Sequence, residues 1–288
     1  MNSKADKYID QVHQLLPAPR IIVQLLQLVN APFSDNREVV DLIGHDPSLT
    51  ANVLKVSNSS YYGTDHKIDN LDEAVMRVGS REVYRLVVAI SCGMVLTHSN
   101  KRTGREDNAL LDHSIAAATA AQLLARDLGE DDNLAFTATL LHDIGKIVIA
   151  AVSDSFYSCA QAIQRTETDL LSTEERVLGV THAEVGGQLL QRWRFPENLI
   201  QAIRFHHRPV AAPNHQRLAG LLHLGNAMAY ELGRPYGHQQ ASSDLTVETG
   251  NLFGLSASAL PGYAAKVTKK LESASYSGAG SQLSSVPA

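Results

Sequence analysis

The chain has 288 residues, of which 44 % are hydrophobic and 19 % are charged. This composition is typical of globular rather than disordered proteins, and the length suggests two domains or one large bipartite domain. With 25 basic and 30 acidic residues the formal net charge is -5, so no global electrostatic attraction favours nucleic acid or anionic lipid. We therefore expect no direct DNA binding.

Cysteine content and the N-terminus indicate the compartment. The two cysteines, Cys92 and Cys159, exclude a disulfide framework and a thiolate zinc cluster. The polar N-terminal sequence MNSKADKYID lacks the apolar segment of a signal peptide. We find no run of about 18 apolar residues that would cross a membrane, so we expect a cytoplasmic protein that contacts no membrane.

Helical periodicity extends over most of the chain, and no strand alternation or hairpin dipeptide interrupts it. We therefore predict an all-α fold, a multi-helix bundle. The predicted helix starts are, in chain order, the apolar stretch 15–29, Asp46 with Pro47, Asn70 with Glu73, Ser172 with Glu175, and Phe195 with Pro196. Asp, Asn and Ser are preferred at helix N-caps, and proline is tolerated in the first turn.

Composition divides the chain into four segments. We predict an N-terminal extension (1–14), an N-terminal helical subdomain (15–103), a second helical subdomain (104–272) and a flexible Ser/Gly-rich tail (273–288). The polar sequence SNKRTGRED at 99–107 reads as a connector. In the second subdomain the alanine-rich sequence AAATAAQLLA suits the centre of a bundle, because small side chains let neighbouring helices approach closely.

A stripe of arginines lies in the first subdomain. Arg77, Arg81 and Arg85 recur every four residues, a spacing that places them on one helix face. We interpret them as a solvated helix face; a surface for an acidic partner or a phosphate is the alternative.

The sharpest local feature is LLHDIGK at 140–146. His142 and Asp143 are adjacent in what we predict to be an apolar helix, and their directions differ by about 100°. Both can reach one point in a groove, where an imidazole nitrogen and a carboxylate oxygen suit a divalent transition metal. Lys146 could hold a phosphate or neutralise Asp143, and Gly145 leaves room for a second helix.

Four further histidines lie at expected inward positions of predicted helices. They are His113, His182, His206 and His207. Together with His142 and Asp143 they form a candidate metal-ligand set. The alternative is a polar core in which backbone carbonyls and waters satisfy the histidines.

Combined motifs resemble the HDOD branch of the HD superfamily of helical metal-dependent phosphohydrolases. In the first block the resemblance rests on LPAP, IGHDPSLTANVLKVSNSSYYG and IDNLDEAVMRVGSREVYRLV. In the second block it rests on LLHDIGK, THAEVGGQLLQRWRFP and AIRFHH. The resemblance covers roughly residues 15–231 and implies an HD-domain-like bundle preceded by an N-terminal helical subdomain.

The resemblance also implies a ligand set. His113, His142 and Asp143 match the first three ligands of HD enzymes, and Asn226 stands where a later aspartate is expected. A neutral amide oxygen is a poorer ligand for a hard divalent ion than a carboxylate. His182, His206 and His207 match the additional metal positions of the binuclear HD-GYP relatives, but HHRPVAAPNHQRL contains no GYP after the double histidine.

Three functions follow as hypotheses. The resemblance implies a bacterial regulatory module of the kind found in two-component systems, non-catalytic and acting through receiver, kinase or cyclic-dinucleotide modules. A divalent transition metal (Fe, Mn, Ni or Zn) or another ligand would bias those contacts. The alternative is a metal-dependent phosphohydrolase of a nucleotide or cyclic dinucleotide, in which Lys146 stabilises phosphate charge. The third is a dimerisation scaffold, a homodimer without a ligand.

Overall fold

The computed structural model describes residues 4–12, 19–30, 36–58, 62, 66–98, 109–152, 170–236 and 243–273. Within these ranges all regular structure is helical, which confirms the all-α prediction. The predicted connector at 99–107 lies outside the described residues, as does the predicted tail beyond residue 273.

The α-helices are numbered here in chain order. They are α1 (Lys4–Val12), α2 (Arg20–Asn30), α3 (Asn36–Gly44), α4 (Pro47–Ser57), α5 (Leu71–Val78), α6 (Ser80–His98), α7 (Ala109–Asp127), α8 (Asp132–Leu140), α9 (Ile144–Val152), α10 (Leu170–Leu178), α11 (His182–Arg192), α12 (Glu197–Phe205), α13 (Gln216–Glu231), α14 (Ser243–Asn251) and α15 (Leu260–Ser273).

Side-chain caps explain where several helices begin. Asp46 accepts a hydrogen bond from the Leu49 amide, and Asn70 accepts one from the Glu73 amide. Both predicted starts are confirmed, and so is the start at Pro196, which directly precedes α12.

The predicted capping box at Ser172 and Glu175 is wrong. Ser172 lies inside α10, which begins at Leu170. The capping box belongs instead to Thr181 and Glu184 at the start of α11. Spacing alone does not distinguish the two pairs, because Ser/Thr followed by Glu at the third position occurs in both.

Helix α6 joins the N-terminal helices to the rest of the fold. It packs against α2, α4 and α5 on one side and against α7 and α8 on the other. The buried hydroxyl groups of Tyr84 and Thr137 hydrogen bond across the α6–α8 contact at 2.5 Å. Beside them the Arg85 guanidinium donates to Asp132 Oδ2 at 2.8 Å.

The arginine stripe is therefore not a solvated face throughout. Arg85 is buried, with a relative exposure of 5 %, whereas the Arg81 side chain is 66 % exposed. Arg85 donates to Glu82 as well as to Asp132. These two carboxylates make burial of the guanidinium tolerable, because a buried charge must be paired.

The alanine-rich helix α7 occupies the centre of the second subdomain, as predicted. It packs along α13 and α8, and its alanines 116–118, 120 and 121 are fully buried. At Gly225 of α13 an added Cβ would lie 2.6 Å from the Ala117 carbonyl oxygen. The two helices can approach this closely only because small residues face each other.

Helix α1 belongs to the second half of the molecule in space. It packs against α9 and α11 and buries Ala5, Ile9 and Val12. Arg192 of α11 donates to Asp6 and Asp10 at 2.6 Å each. The N-terminal helix thus closes over helices that lie more than 130 residues later in the chain.

One segment, Asp132–Val152, is long and apolar enough to qualify as a membrane span by length and composition. It comprises α8, the following turn and α9, and 83 % of its apolar window is buried inside the molecule. The segment contains His142, Asp143 and Lys146, so it is not an uninterrupted apolar run. The burial is that of a core segment in a globular protein.

Candidate metal centre

His142 and Asp143 lie in a tight turn between α8 and α9, not inside one helix as predicted. The His142 amide donates to the Thr139 carbonyl and the Ile144 amide to the Leu141 carbonyl. These three-residue spacings are the hydrogen bonds of a 3₁₀-type turn. Both side chains are buried and face one cluster, as expected, although they do so from a turn.

The other candidate histidines reach the same interior. His113 lies in α7, and His182 is the first residue of α11. His206 and His207 follow the end of α12, so the prediction of a helical inward position is right for His113 and His182 only. Three separate regions of the chain therefore meet at the turn that carries Asp143.

Asp143 is shared by two groups of imidazoles. Its Oδ2 atom lies 3.4 Å from His142 Nε2 and 3.7 Å from His113 Nε2. Its Oδ1 atom lies 3.3 Å from His182 Nε2 and 4.0 Å from His206 Nε2. His207 belongs to the second group, and within each group the potential ligand atoms lie within 4.8 Å of one another.

Backbone carbonyls orient three of these imidazoles. The Nδ1 atoms of His113, His142 and His206 lie 2.8, 2.7 and 2.7 Å from the carbonyl oxygens of Arg234, Thr139 and Ile203. A carbonyl oxygen only accepts, so Nδ1 must carry the hydrogen. Each Nε2 atom then has a free lone pair directed at the cluster.

Those Nε2 atoms have no hydrogen-bond partner among the described residues, and neither has Asp143 Oδ1. Leaving a buried acceptor unsatisfied costs about 1–3 kcal/mol. In the polar-core alternative, waters satisfy these atoms. In the metal-binding alternative, the imidazoles of each group and Asp143 hold a divalent transition metal.

Glu174 is a functional residue that the sequence reasoning missed. Its fully buried carboxylate accepts from the His182 amide at 2.9 Å and lies 2.8 Å from His182 Nδ1. Carboxylate, histidine and metal in this order form a common triad in which the carboxylate orients the ligand. Beyond it, His182 Nε2 lies 2.8 Å from His207 Nε2.

A signal for Glu174 was present in the sequence. Leu171 and Leu178 lie three residues before it and four residues after it, and both are buried. Glu174 therefore occupies the apolar face of α10, whereas its neighbour Glu175 is exposed. A carboxylate on an apolar helix face predicts a buried polar contact.

Lys146 neutralises Asp143 directly. Its Nζ atom lies 2.7 Å from Asp143 Oδ2, and both side chains are buried. Nζ also lies 5.6 Å from the centre of the Tyr236 ring. Of the two roles predicted for Lys146, this structure shows the neutralising one.

Burial and charge set the protonation of the cluster. Burial lowers the pKa of His142 to about 4 despite the neighbouring Asp143, and it lowers the pKa of His113 and His206. Burial alone would raise the pKa of Asp143, but His142 and Lys146 outweigh it and hold that pKa well below its usual value. His113, His142 and His206 are thus neutral imidazoles beside an ionised carboxylate, the forms that bind metal.

Asn226 lies beside His113, where the resemblance places the degenerate ligand. Its side chain is buried, and its Oδ1 atom has no hydrogen-bond partner among the described residues. Its side chain is one of the groups that affect the pKa of His113. The structure thus offers a neutral oxygen at this position.

Gly145 makes the assembly possible, as predicted. A Cβ at this position would collide with the His182 carbonyl and lie 2.8 Å from the Gly186 amide nitrogen. Helices α9 and α11 therefore touch backbone to backbone at this point. The contact brings His182 to Asp143.

The fold and the site define an all-helical protein of the HD type with a buried histidine–aspartate centre. The HDOD domain model matches residues 15–209. The chain therefore belongs to the HDOD domain family.

Solved structures resemble the fold over nearly the whole chain. A candidate phosphohydrolase from Shewanella amazonensis SB2B is 27 % identical, with a TM-score of 0.71 over 96 % of this chain and 97 % of that one. An HDOD domain protein of unknown function from Geobacter sulfurreducens is 22 % identical, with a TM-score of 0.69 over 92 % and 96 %. A candidate signal transduction protein from Marinobacter aquaeolei VT8 is 24 % identical, with a TM-score of 0.77 over 95 % and 61 %.

Curated relatives match only in part. An uncharacterized protein of Treponema pallidum (strain Nichols) is 30 % identical over 214 residues, 73 % of this chain and 40 % of that protein. Ribonuclease Y of Aquifex aeolicus (strain VF5) is 32 % identical over 147 residues, 49 % of this chain and 22 % of the enzyme. The chain thus spans less than half the length of these relatives.

Proposed function

We propose that this protein is a cytoplasmic signal-transduction module that acts through contacts with other signalling proteins and contains a divalent transition metal at the centre around Asp143. The main observation behind the proposal is that the Nε2 atoms of His113, His142 and His206 have no hydrogen-bond partner in the part of the chain that the structure describes. The ligands in the first group are His113, His142 and Asp143, and those in the second are Asp143, His182, His206 and His207.

A regulatory role without turnover is supported by the burial of the site. The rings of His113, His142, His182 and His206 have no exposure, and His207 has 6 %. Among the described residues, a substrate could approach the cluster only at its His207 edge, whereas a metal that stabilises one arrangement of helices needs no such access. Asn226 in place of a carboxylate and the missing GYP sequence point in the same direction.

The partners we propose are receiver, kinase or cyclic-dinucleotide modules. A metal that binds one arrangement of the helices more tightly than another shifts the population toward it. The contacts that α1 and α6 make with a partner protein would then depend on metal occupancy. The name of the Marinobacter aquaeolei neighbour supports such a role by fold similarity.

Metal-dependent phosphohydrolysis is the second candidate. It is favoured by the two ligand groups that share Asp143 and by the name of the Shewanella amazonensis neighbour. A bound divalent metal supplies Lewis acidity and an activated water. The chain's own Lys146 would then lie next to the centre as a positive charge.

Metal analysis combined with partner capture tests the proposal. We expect X-ray fluorescence to detect a stoichiometric metal in the protein, and His142→Ala to lose it while the exposed control His66→Ala retains it. Capture of signalling proteins should change between metal-loaded and chelated protein. Hydrolysis of phosphomonoesters or phosphodiesters by the wild type that His142→Ala abolishes would favour the enzyme instead. Absence of metal at every condition would reject the centre.

A further inference from the structure

A pocket of about 570 Å³ leads from the protein surface to the edge of the cluster. It lies among α1, α10, α11 and α12, and we call it the α1 pocket. Its lining includes Lys4, Gly179, Gln188, Arg204, His207 and Arg208. Ligand pockets have volumes of roughly 300–1,000 Å³, so the space fits a small molecule.

His207 connects the α1 pocket to the metal centre. It lines the pocket, and its Nε2 atom lies 2.8 Å from His182 Nε2 in the second ligand group. It is also the one histidine of the cluster with measurable exposure, 6 % against 0 % for the others. A molecule in the pocket would therefore approach the centre from the His207 side.

Charge around the pocket favours an anion. Lys4 and Arg208 are exposed and have no carboxylate partner among the described residues. Arg204 donates to the neutral amides of Gln188 and Gln191. Two carboxylates, Glu175 and Glu184, also line the pocket, so the cations Lys4, Arg204 and Arg208 outnumber the carboxylates by one.

The buried centre adds to this charge once a metal is bound. The Lys146 ammonium group lies 2.7 Å from Asp143 Oδ2 and offsets the charge of that carboxylate. A divalent cation held by Asp143 and the imidazoles would add positive charge at the centre. Positive charge at the His207 end and cations at the mouth both attract an oxyanion.

Helix α1 forms one wall of the pocket and is held there by polar contacts. Asp6 accepts from Arg192 and from Gln188 Nε2, and Gln188 Oε1 accepts from Arg204. Lys4 fits beside Gly179, where a Cβ would collide with its ammonium group. This wall precedes residue 15, where the HDOD match begins, so the pocket depends on a segment outside the matched domain.

We propose that the α1 pocket binds a small phosphate-bearing molecule, whose phosphate lies between the His207 edge of the centre and the cations Lys4 and Arg208. The inference rests on the proposed metal centre, because the bound metal supplies part of the attraction. The ligand acts as a signal: by contacting α1 and α12 together it stabilises the docked position of α1.

Equilibrium dialysis with Mn²⁺ and radiolabelled inorganic phosphate tests the pocket in the full chain. The double variant Lys4→Ala with Arg208→Ala should raise the Kd for phosphate by about tenfold or more, since charge-assisted hydrogen bonds are lost. The matched control is Lys7→Ala with Arg176→Ala, two exposed cations that do not line the pocket. It should leave the Kd unchanged, and both double variants should bind Mn²⁺ like the wild type.

Failure of the pocket and failure of the metal centre are separate outcomes. Mn²⁺ binding without phosphate binding, or phosphate binding that is equal in the pocket variant and the control, overturns the pocket and leaves the centre. If none of Mn²⁺, Fe²⁺, Ni²⁺ and Zn²⁺ binds, the centre is rejected, and the pocket is judged on the metal-free protein. Phosphate binding there that depends on Lys4 and Arg208 supports it, and absence of binding rejects it.

Discussion

At the scale of single residues, the centre is defined by which ring nitrogen of each histidine makes a hydrogen bond and which one faces the cluster. Backbone carbonyls occupy Nδ1 of His113, His142 and His206, while the buried Nε2 atoms remain without partners among the described residues. For His182, the Nδ1 atom lies within hydrogen-bond distance of the Glu174 carboxylate instead of a backbone carbonyl. The orientation of each ring is therefore fixed before any ligand binds.

Glu174→Gln should weaken metal binding while keeping the fold. The amide can still accept from the His182 backbone but no longer offers a charged acceptor to Nδ1, so His182 is a less basic ligand. Loss of such an orienting partner lowers metal affinity by about 10–100-fold. Calorimetric titration with Mn²⁺ measures it, with exposed Glu175→Gln as control. Equal affinities in both variants would remove Glu174 from the site.

Buried neutral histidines predict a pH dependence of stability in metal-free protein. The pKa of His142 and that of His223 are each lowered by burial to about 4, against about 6.5 in the unfolded chain. As pH falls through 6.5 the unfolded state takes up protons first, so stability decreases down to about pH 4. Each such histidine accounts for about 3 kcal/mol.

Urea unfolding of chelator-treated protein at pH 7, 5.5 and 4.5 measures this decrease. The variant His66→Ala should follow the wild-type profile, because His66 is exposed and lies outside the cluster. Constant stability between pH 7 and 5 would contradict the burial of neutral histidines.

At the scale of elements, backbone contacts between helices decide where the ligands lie. Gly145 of α9 touches the His182 carbonyl of α11, and Gly225 of α13 touches the Ala117 carbonyl of α7. A side chain at either glycine would separate a pair of helices that carries a histidine. Small residues therefore lie at the helix contacts that bring the histidines close to one another.

Gly145→Ala should destabilise the fold and disrupt the centre. The new methyl group would overlap the His182 carbonyl, and overpacking of this kind costs about 1–3 kcal/mol or more. Gly262→Ala in α15 is the control, because nothing lies within 4 Å of a Cβ there and alanine is the better helix former by about 1 kcal/mol. Thermal unfolding compares the two, and equal melting temperatures would contradict the close contact.

At the scale of the whole molecule, polar contacts join distant parts of the chain. Arg85 of α6 and Asp132 at the start of α8 form a buried ion pair between the two halves. Arg192 holds α1 against α11 through Asp6 and Asp10. The two junctions differ in burial, so we expect them to differ in their energetic contribution.

Arg85→Met should lower the free energy of unfolding by roughly 1–3 kcal/mol, because Asp132 Oδ2 loses its buried donor and keeps only the half-exposed Arg126. Arg81→Met is the matched control: Arg81 lies 3.7 Å from the same Asp132 but its side chain is 66 % exposed. An exposed pair contributes about 0–1 kcal/mol. Urea unfolding that gives the same loss for both variants would contradict the difference in burial.

The sequence by itself determined the helical class, the starts at Asp46, Asn70 and Pro196, and the residue types of the candidate ligands. These follow from local rules, because N-caps, proline positions and apolar periodicity act over a few residues. The family resemblance added the expectation that distant histidines meet. That they bind a metal stays a prediction.

Only the tertiary structure decided the rest. It placed His142 and Asp143 in a turn, moved the capping box to Thr181, buried Arg85 and brought Glu174 to His182. It also set α1 against α11 as the wall of a pocket. Each of these depends on contacts between residues far apart in the chain, and local propensity carries no information about which surfaces meet. Burial and charge pairing of a residue are set by these long-range contacts.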